Sequence, residues 1–425
     1  TTDRTEKEKD AEGKVVEGGK ETKIVEDRIV NTTDPLWMKQ PSDLKSEDYQ
    51  DFYRDLYPMS QEPLFNIHLN VDYPFNLTGV LYFPKFKDNF EIQRNKIQLY
   101  SNQVFVTDSV EGIVPEFLTL LRGVLDSPDI PLNVSRSYLQ ADSNVKKISN
   151  HIMKKVADKL EDMFKNQRAD FEAKWDDIKV FIEYGMLSED KFYERAEKFS
   201  LYKTVDGEYM TLEELKKKVK DMHVDKDGKT IILYTSNTDE QHAFIEEANE
   251  KGYTTILMDS PLTGHLIQKI EQKEDKISFA RVDADTIENL IKKDEEQPSK
   301  LTKEDEEKLK PVFEEIMPKE KFTVQFESLS ETARPFTITQ PEFMRRMKDM
   351  NALNGGNMMG SMPDMYNLVV NSNHPLISKI LNTKKKDTQL ELTRQATDLA
   401  LLSQNLLKGK DLTQFIDRSL ELINE

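Results

Sequence analysis

Apolar and polar residues alternate most clearly from Asn66 to Tyr73, where Ile67, Leu69, Val71 and Tyr73 take every second position, the period of a half-buried strand. Two further strand runs follow, Leu77 to Phe83 and Ile97 to Val106. Ahead of them Ser46 opens a predicted helix, with Glu47 and Asp48 in its first turn and Tyr49, Phe52, Tyr53 and Leu56 on one stripe able to cover a sheet. The first expected strands are Lys14 to Val16 and Thr22 to Val30. A helix is expected around Pro115 to Leu121. The turn-rich segment RGVLDSPDIPLNVSRSYLQ then reads as an ordered loop with one short strand, and helical patterns run from about Asn144 to Tyr184.

Near Ser188 the pattern changes. Thr211 and Glu214 form a capping box, and strands and helices then alternate: Thr230 to Tyr234, Glu240 to Lys251, Thr254 to Met258, Leu262 to Gln272, Ile277 to Val282. That order predicts a small parallel α/β layer. The charge-rich stretch Asp285 to Glu307 marks a boundary. Beyond it come strands Phe322 to Glu327, Pro335 to Thr339 and Tyr366 to Asn371, a helix after Gln340, a Gly/Met-rich stretch and three final helices. No internal repeat is visible.

Composition narrows the chemistry. At 425 residues the chain is expected to hold two to four domains, and with 37% apolar and 32% charged residues it reads as globular with much solvated helix surface. A net charge of -18 opposes nucleic-acid and acidic-membrane partners. The lack of cysteine excludes disulfides, thiol nucleophiles and Cys-based zinc sites, and a cytoplasmic location is the simplest reading. Gly228-Lys229-Thr230 approaches a phosphate loop, but His223 stands where the upstream glycine is required, so the match reads as a turn. Asp225 and Asp227 lack calcium-loop spacing, the six histidines form no i, i+4 pair, and no Gly-x-Ser-x-Gly elbow occurs. No metal site and no self-sufficient active site are expected.

Two stretches are specific enough to indicate a family. DPLWMKQPSDLKSEDYQDFYRDL (34–56) and RGVLDSPDIPLNVSRSYLQ (122–140) resemble the middle domain of the ninety-kilodalton heat-shock chaperones. GVLYFPKF and KIQLYSNQVFVTDSVEGIVPEFL match as well, and LLSQNLLKGKDLTQFIDRSLELI is similar to the family's dimerising end. The resemblance implies an α+β / α/β multidomain chain. Residues 1–22 would be a charged inter-domain linker, 23–300 a middle domain (23–143 a larger sheet unit, 144–187 a helical connector, 188–300 a small α/β unit), and 301–425 an α+β dimerisation domain with a terminal helical bundle. The charged start reads as the tail of a linker, with the family's amino-terminal ATPase domain absent, so no cofactor is expected in this chain; ATP with Mg would belong to the full-length protein. Homodimerisation, non-native client proteins and co-chaperones are the implied partners. The absence of an acidic tail after Ile423 fits the bacterial type.

The resemblance also assigns residues. Arg136, in N-x-S-R-x-x-L-Q, would reach the γ-phosphate of ATP when the domains close, with Asn133 and Gln140 holding the loop or touching the nucleotide domain. A guanidinium suits that task, being always charged and presenting a rigid donor fork. The family usually has Glu after this arginine, where this chain has Ser137. Arg122 and Asp126 are assigned to loop structure. Client contacts are expected in the segment holding seven of the 16 methionines, through Phe343, Met344, Met347, Met350, Leu353, Met358 and Met359, because unbranched, polarizable Met repacks against varied partners. Trp37, His265 and Leu266 are further client candidates, with packing of the first strand the plainer role for Trp37. Leu412, Phe415, Ile416, Leu420 and Ile423, with Leu399, Leu402 and Leu406, form apolar stripes suited to a four-helix bundle with a second copy. Two rival readings remain: a nucleotide-independent adaptor, and a small-molecule enzyme using the strand-end crevice near Ser236 and Ser260.

Overall fold

A computed structural model describes residues 2–7 and 21–26 as backbone, and 34–85, 96–130, 143–292, 297–346 and 365–424. The chain divides into two compact units, 1–155 and 156–425. Each contains both sheets and helices, giving a mixed α/β chain with four sheets among the described residues.

In the first unit, β1 (Thr2–Lys7) and β2 (Glu21–Glu26) pair antiparallel, Thr2 opposite Glu26 and Lys7 opposite Glu21. The opening was expected to be an unpaired linker, because it lacks apolar periodicity. A two-stranded ladder needs no apolar face, since its bonds are all main-chain. The expected strand Lys14 to Val16 lies outside the described residues.

Helix α1 (Ser46–Leu56) starts where expected, although its first turn is closed by Asp48, whose carboxylate accepts the Lys45 amide at 2.7 Å. Its stripe lands as predicted: Tyr49 and Tyr53 are buried and Phe52 and Leu56 half-buried, in one cluster with Trp37, Tyr57, Val80, Tyr82 and Val124. The sheet beneath is built from β3 (Phe65–Val71), β4 (Leu77–Phe83), β5 (Ile97–Ser101), β6 (Val104–Thr107) and β7 (Arg122–Asp126), in the spatial order β3-β4-β7-β5-β6. The run Ile97 to Val106 is thus a hairpin rather than one strand, because Asn102 and Gln103 take φ of 49° and 64° and reverse the chain. The expected helix near Pro115 is one 3₁₀ turn, Glu116–Leu120. Central β7 depends on Gly123, at φ 127°, where a Cβ would lie 1.9 Å from the Val80 carbonyl oxygen.

The division between units falls within α2 (Ser143–Asn166). In the second unit α3 (Arg168–Ala173), α4 (Trp175–Ser188) and α5 (Asp190–Ala196) follow, and Phe171, Phe181, Phe192 and Phe199 are fully buried there. Next come β8 (Leu201–Thr204), β9 (Tyr209–Thr211), α6 (Leu212–Val219), β10 (Thr230–Thr235), α7 (His242–Glu250), β11 (Thr255–Leu257), α8 (Thr263–Lys273) and β12 (Ile277–Arg281). The parallel α/β layer is present, with β10 between β11 and β12, and β8 and β9 extend it antiparallel.

Short α9 (Ile287–Leu290) and α10 (Lys303–Ile316) occupy part of the charge-rich boundary, α10 opened by a Thr302/Asp305 capping box. The remaining elements are β13 (Phe322–Glu327), β14 (Phe336–Thr339), β15 (Tyr366–Asn371), α11 (Pro375–Asn382), α12 (Lys386–Ser403) and α13 (Gly409–Asn424). Strand β15 lies between β13 and β14, and Leu368 and Val370 pack with Leu309, Phe313, Ile377 and Ile380.

Candidate functional site

Strand β7 leads directly towards the segment that carries Arg136. Asn133, Arg136 and Gln140 lie outside the described residues; what the structure gives is the base from which they spring. Arg122 and Asp126, assigned from sequence to a loop, sit at the two ends of buried β7. Arg122 donates to the Tyr53 hydroxyl at 2.8 Å and lies 5.6 Å from the Tyr57 ring centre. Burial pushes the Tyr57 phenol up to about 12, and its oxygen accepts the Gly123 amide at 2.8 Å.

Asp126, 4% exposed, accepts two N–H groups on one oxygen, from the Trp37 indole at 3.1 Å and the Gln103 amide at 2.9 Å. Ser127 follows, its amide donating to the Tyr100 carbonyl at 3.1 Å and its hydroxyl to the Asn76 carbonyl at 2.6 Å. Asn76 in turn donates its amide to Asp129 at 2.7 Å. Trp37 is therefore buried between Phe52 and Tyr100 rather than offered to a client. Its partner Asp126, 89 positions away, has no local signal in the sequence.

In the second unit the ends of β10 and β12 in the small sheet are covered by the chain itself. Gln241 accepts from the Thr235 hydroxyl at 2.6 Å and the Ser236 amide at 3.0 Å, which closes the turn after β10. On the β12 side, the helical turn 342–346 seals the ends: Glu342 accepts from the Tyr234 hydroxyl at 2.8 Å, and Arg346 donates to Glu271 at 2.8 Å and to the Phe279 carbonyl at 2.7 Å. Arg281 reaches Gln340 at 3.1 Å, and Arg345 pairs with Glu342 at 2.7 Å. Burial pushes the Glu342 carboxyl up, but the two guanidiniums outweigh it and hold it below the usual carboxylate range. The crevice reading for a small-molecule enzyme is left without its cleft on that side. Nothing local in the sequence marks Glu342 and Arg346, because their partners Tyr234, Glu271 and Phe279 lie more than sixty positions away.

Histidine 223 occupies the position that broke the phosphate-loop match. It is buried, with Nε2 accepting the Thr254 amide at 3.0 Å and Nδ1 2.8 Å from the Ile231 carbonyl, and Asp225 closes the following turn by accepting the Asp227 and Lys229 amides.

The client candidates separate. Leu266 is 1% exposed within α8, so its side chain serves the core and not a client; His265 beside it is half-buried. Phe343 is 71% exposed and Met344 half-buried. Met347, Met350, Leu353, Met358 and Met359 lie outside the described residues.

Of the terminal stripe, Phe415 is buried, and Leu406 packs on the core with α11 and α12, so these two serve the fold first. Leu412 is half-buried. Leu399, Leu402, Ile416, Leu420 and Ile423 are exposed, as is Leu422. Helices α12 and α13 are pinned together by Gln395 to Ser419 at 2.8 Å and by an Arg418–Asp398 ion pair.

A further pocket lies beside α4, lined by apolar Trp175, Leu201, Leu257 and Met258 and by Asp176, Lys179, Glu183, Tyr202, Lys203 and Asp259. Lys179 binds Asp259 at 2.7 Å. Burial lifts the Glu183 carboxyl to about 7, against the lowering effect of the Ser260 hydroxyl and Lys179 and with a further rise from Asp259.

Comparison with known proteins places these features. The family described as Hsp90 protein matches residues 1–424. A chaperone protein HtpG of Bacteroides fragilis (strain YCH46) is 48% identical across 95% of this chain and 70% of its own length. One from Porphyromonas gingivalis (strain ATCC 33277) is 54% identical across 92% of this chain, which spans 58% of that relative. A more distant chaperone protein HtpG, from Ruthia magnifica, is 26% identical across 96% of the chain.

Proposed function

The chain belongs to the Hsp90 protein family, and on that footing we propose that it is the client-handling and dimerising part of an ATP-driven folding chaperone. The observation that carries the ATP-coupling part is the anchored end of β7, where Asp126, Ser127 and Asp129 are held by Trp37, Gln103, Tyr100 and Asn76. A guanidinium, always charged and presenting a rigid donor fork, suits a phosphate delivered by another domain. Arg136 would supply it, with Asn133 and Gln140 near it in the sequence.

ATP and Mg would be held by the family's nucleotide-binding domain; this chain contributes positive charge to the transferring phosphoryl group. Hydrolysis then shifts the population between open and closed arrangements of the assembly. Clients would meet exposed Phe343 and, by the family resemblance, the methionines that follow it in the sequence. The layout into middle and dimerisation domains, co-chaperone binding and a cytoplasmic setting belong to the same reading; among the described residues no helix is long and apolar enough to cross a membrane.

The test is to join this chain to a nucleotide-binding domain of the family and compare Arg136→Ala with wild type. The expected loss is about 100-fold in ATP turnover, the scale of removing one transition-state donor. An unchanged turnover would falsify the reading.

A further inference from the structure

In the pocket beside α4, one charge is left over. Its ionic lining holds three carboxylates, Asp176, Glu183 and Asp259, against two lysines, Lys179 and Lys203. Both lysines are committed elsewhere: Lys179 binds Asp259 at 2.7 Å and lies 3.7 Å from Asp176, and Lys203 lies 3.6 Å from Asp176. Glu183 has the Ser260 hydroxyl as a donor, but its Oε2 is buried and has no hydrogen-bond partner among the described residues. An ionised carboxylate in that position is costly until a cation meets it. The uncharged walls are Trp175 and Tyr202, 3% and 6% exposed, with Leu257 and Met258, and the free space beside them is about 20 Å³, enough for one water-sized group.

We propose that this pocket binds a primary alkylammonium group, the tip of a lysine side chain or of a free diamine, with Glu183 as its counter-charge and Trp175 and Tyr202 as its aromatic wall. The ammonium head matches the space and the aromatic faces, and its methylene stem matches Leu257 and Met258. A divalent metal is a poorer fit, since among the described residues no three acidic or histidine side chains are grouped to hold one. A neutral guest would leave the excess charge uncompensated, and the net charge of -18 draws cations towards the chain. Binding takes the ionised form of Glu183. The groups facing that carboxylate are Asp176 and Lys179 on α4, Tyr202 and Lys203 on β8, and Asp259 and Ser260 after β11; the lysines and aspartates offset one another, so Glu183 decides the pocket's charge. Its pKa of about 7 makes affinity rise with pH across neutrality.

Trp175 and Trp37 are the two tryptophans of the chain and belong to different units, so their indole N–H signals in an NMR titration give a reporter and an internal control. Added at constant ionic strength, n-butylammonium, which stays charged near neutrality as lysine does, should shift the Trp175 signal saturably and leave that of Trp37 in place. The apparent affinity should rise about ninefold from pH 6 to pH 8, as the ionised fraction of Glu183 goes from about a tenth to about nine tenths. The same stem without charge, n-butanol, should not saturate the signal. Glu183→Gln keeps the shape and an acceptor for Ser260; it should abolish the pH dependence and weaken binding at pH 8 at least about tenfold. Tighter binding by a blocked tripeptide with a central lysine than by 1,4-diaminobutane would assign the site to a polypeptide lysine, and the reverse order to a free amine. A Trp175 signal that does not move, saturation by butanol, or a pH dependence that survives in Glu183→Gln overturns the proposal.

Discussion

Glu183 is half-buried, and its proton has thermodynamic consequences. The side chain faces Asp176 and Lys179 on its own helix, Tyr202 and Lys203 from β8, and Asp259 and Ser260 after β11. Its folded pKa, about 7, stands above the ordinary carboxylate value of 4.5. Stability from this group is therefore fully present below about pH 4.5 and is lost as pH rises through 7, a loss of about 3 kcal/mol. Glu183→Gln cannot ionise, so its melting temperature relative to wild type should climb between pH 5 and pH 8. A difference that stays flat across that range would contradict the assignment. Sequence holds no hint of Glu183, one acid among 78, because the shift comes first from burial, which only the assembled fold creates. The roles of Asp126 and His223 were hidden for the same reason. Each depends on a partner brought in by the fold.

Helices were legible where local chemistry suffices. The Thr211/Glu214 capping box was readable as a four-residue pattern, and both of its reciprocal bonds are present. The β5–β6 hairpin was not, because Ser-Asn-Gln-Val keeps the apolar period on both sides and only the left-handed backbone at Asn102 and Gln103 reveals the turn. Strand β8 joins its sheet by non-local pairing with β11, which periodicity cannot report. Helices α12 and α13 were readable as stripes, yet sequence could not divide residues that serve the fold from those left outside. Phe415 is inside, while Leu399, Leu402, Ile416, Leu420 and Ile423 remain exposed. A second copy of this helix pair is the proposed cover. Ile416→Asp with Leu420→Asp should convert a dimer to a monomer in sedimentation at micromolar concentration, with helix content retained. Wild type sedimenting as a monomer would remove the proposal outright.

At the scale of the molecule, the mixed α/β class and the order of most elements follow from period and turn chemistry, whereas the sealing of the small sheet does not. Glu342 binds Tyr234, Arg345 and Arg346, and Arg346 also holds Glu271 on α8. Glu342→Ala should take this counter-charge from the buried Arg345 guanidinium and leave Arg346 with Glu271, at about 3 kcal/mol. Hydrogen exchange would then quicken in β10 and β12, more than sixty positions upstream. Quickening confined to 340–346 would show that the seal is ornamental to the sheet.

That seal also imposes an order in time. Arg281 leaves the ribosome 65 residues before Arg346, a wait of roughly 3 to 13 s at ordinary synthesis rates. During that interval the hydroxyl of Tyr234 must make do with water, so a nascent chain seals this sheet only after β13 and β14 have already emerged.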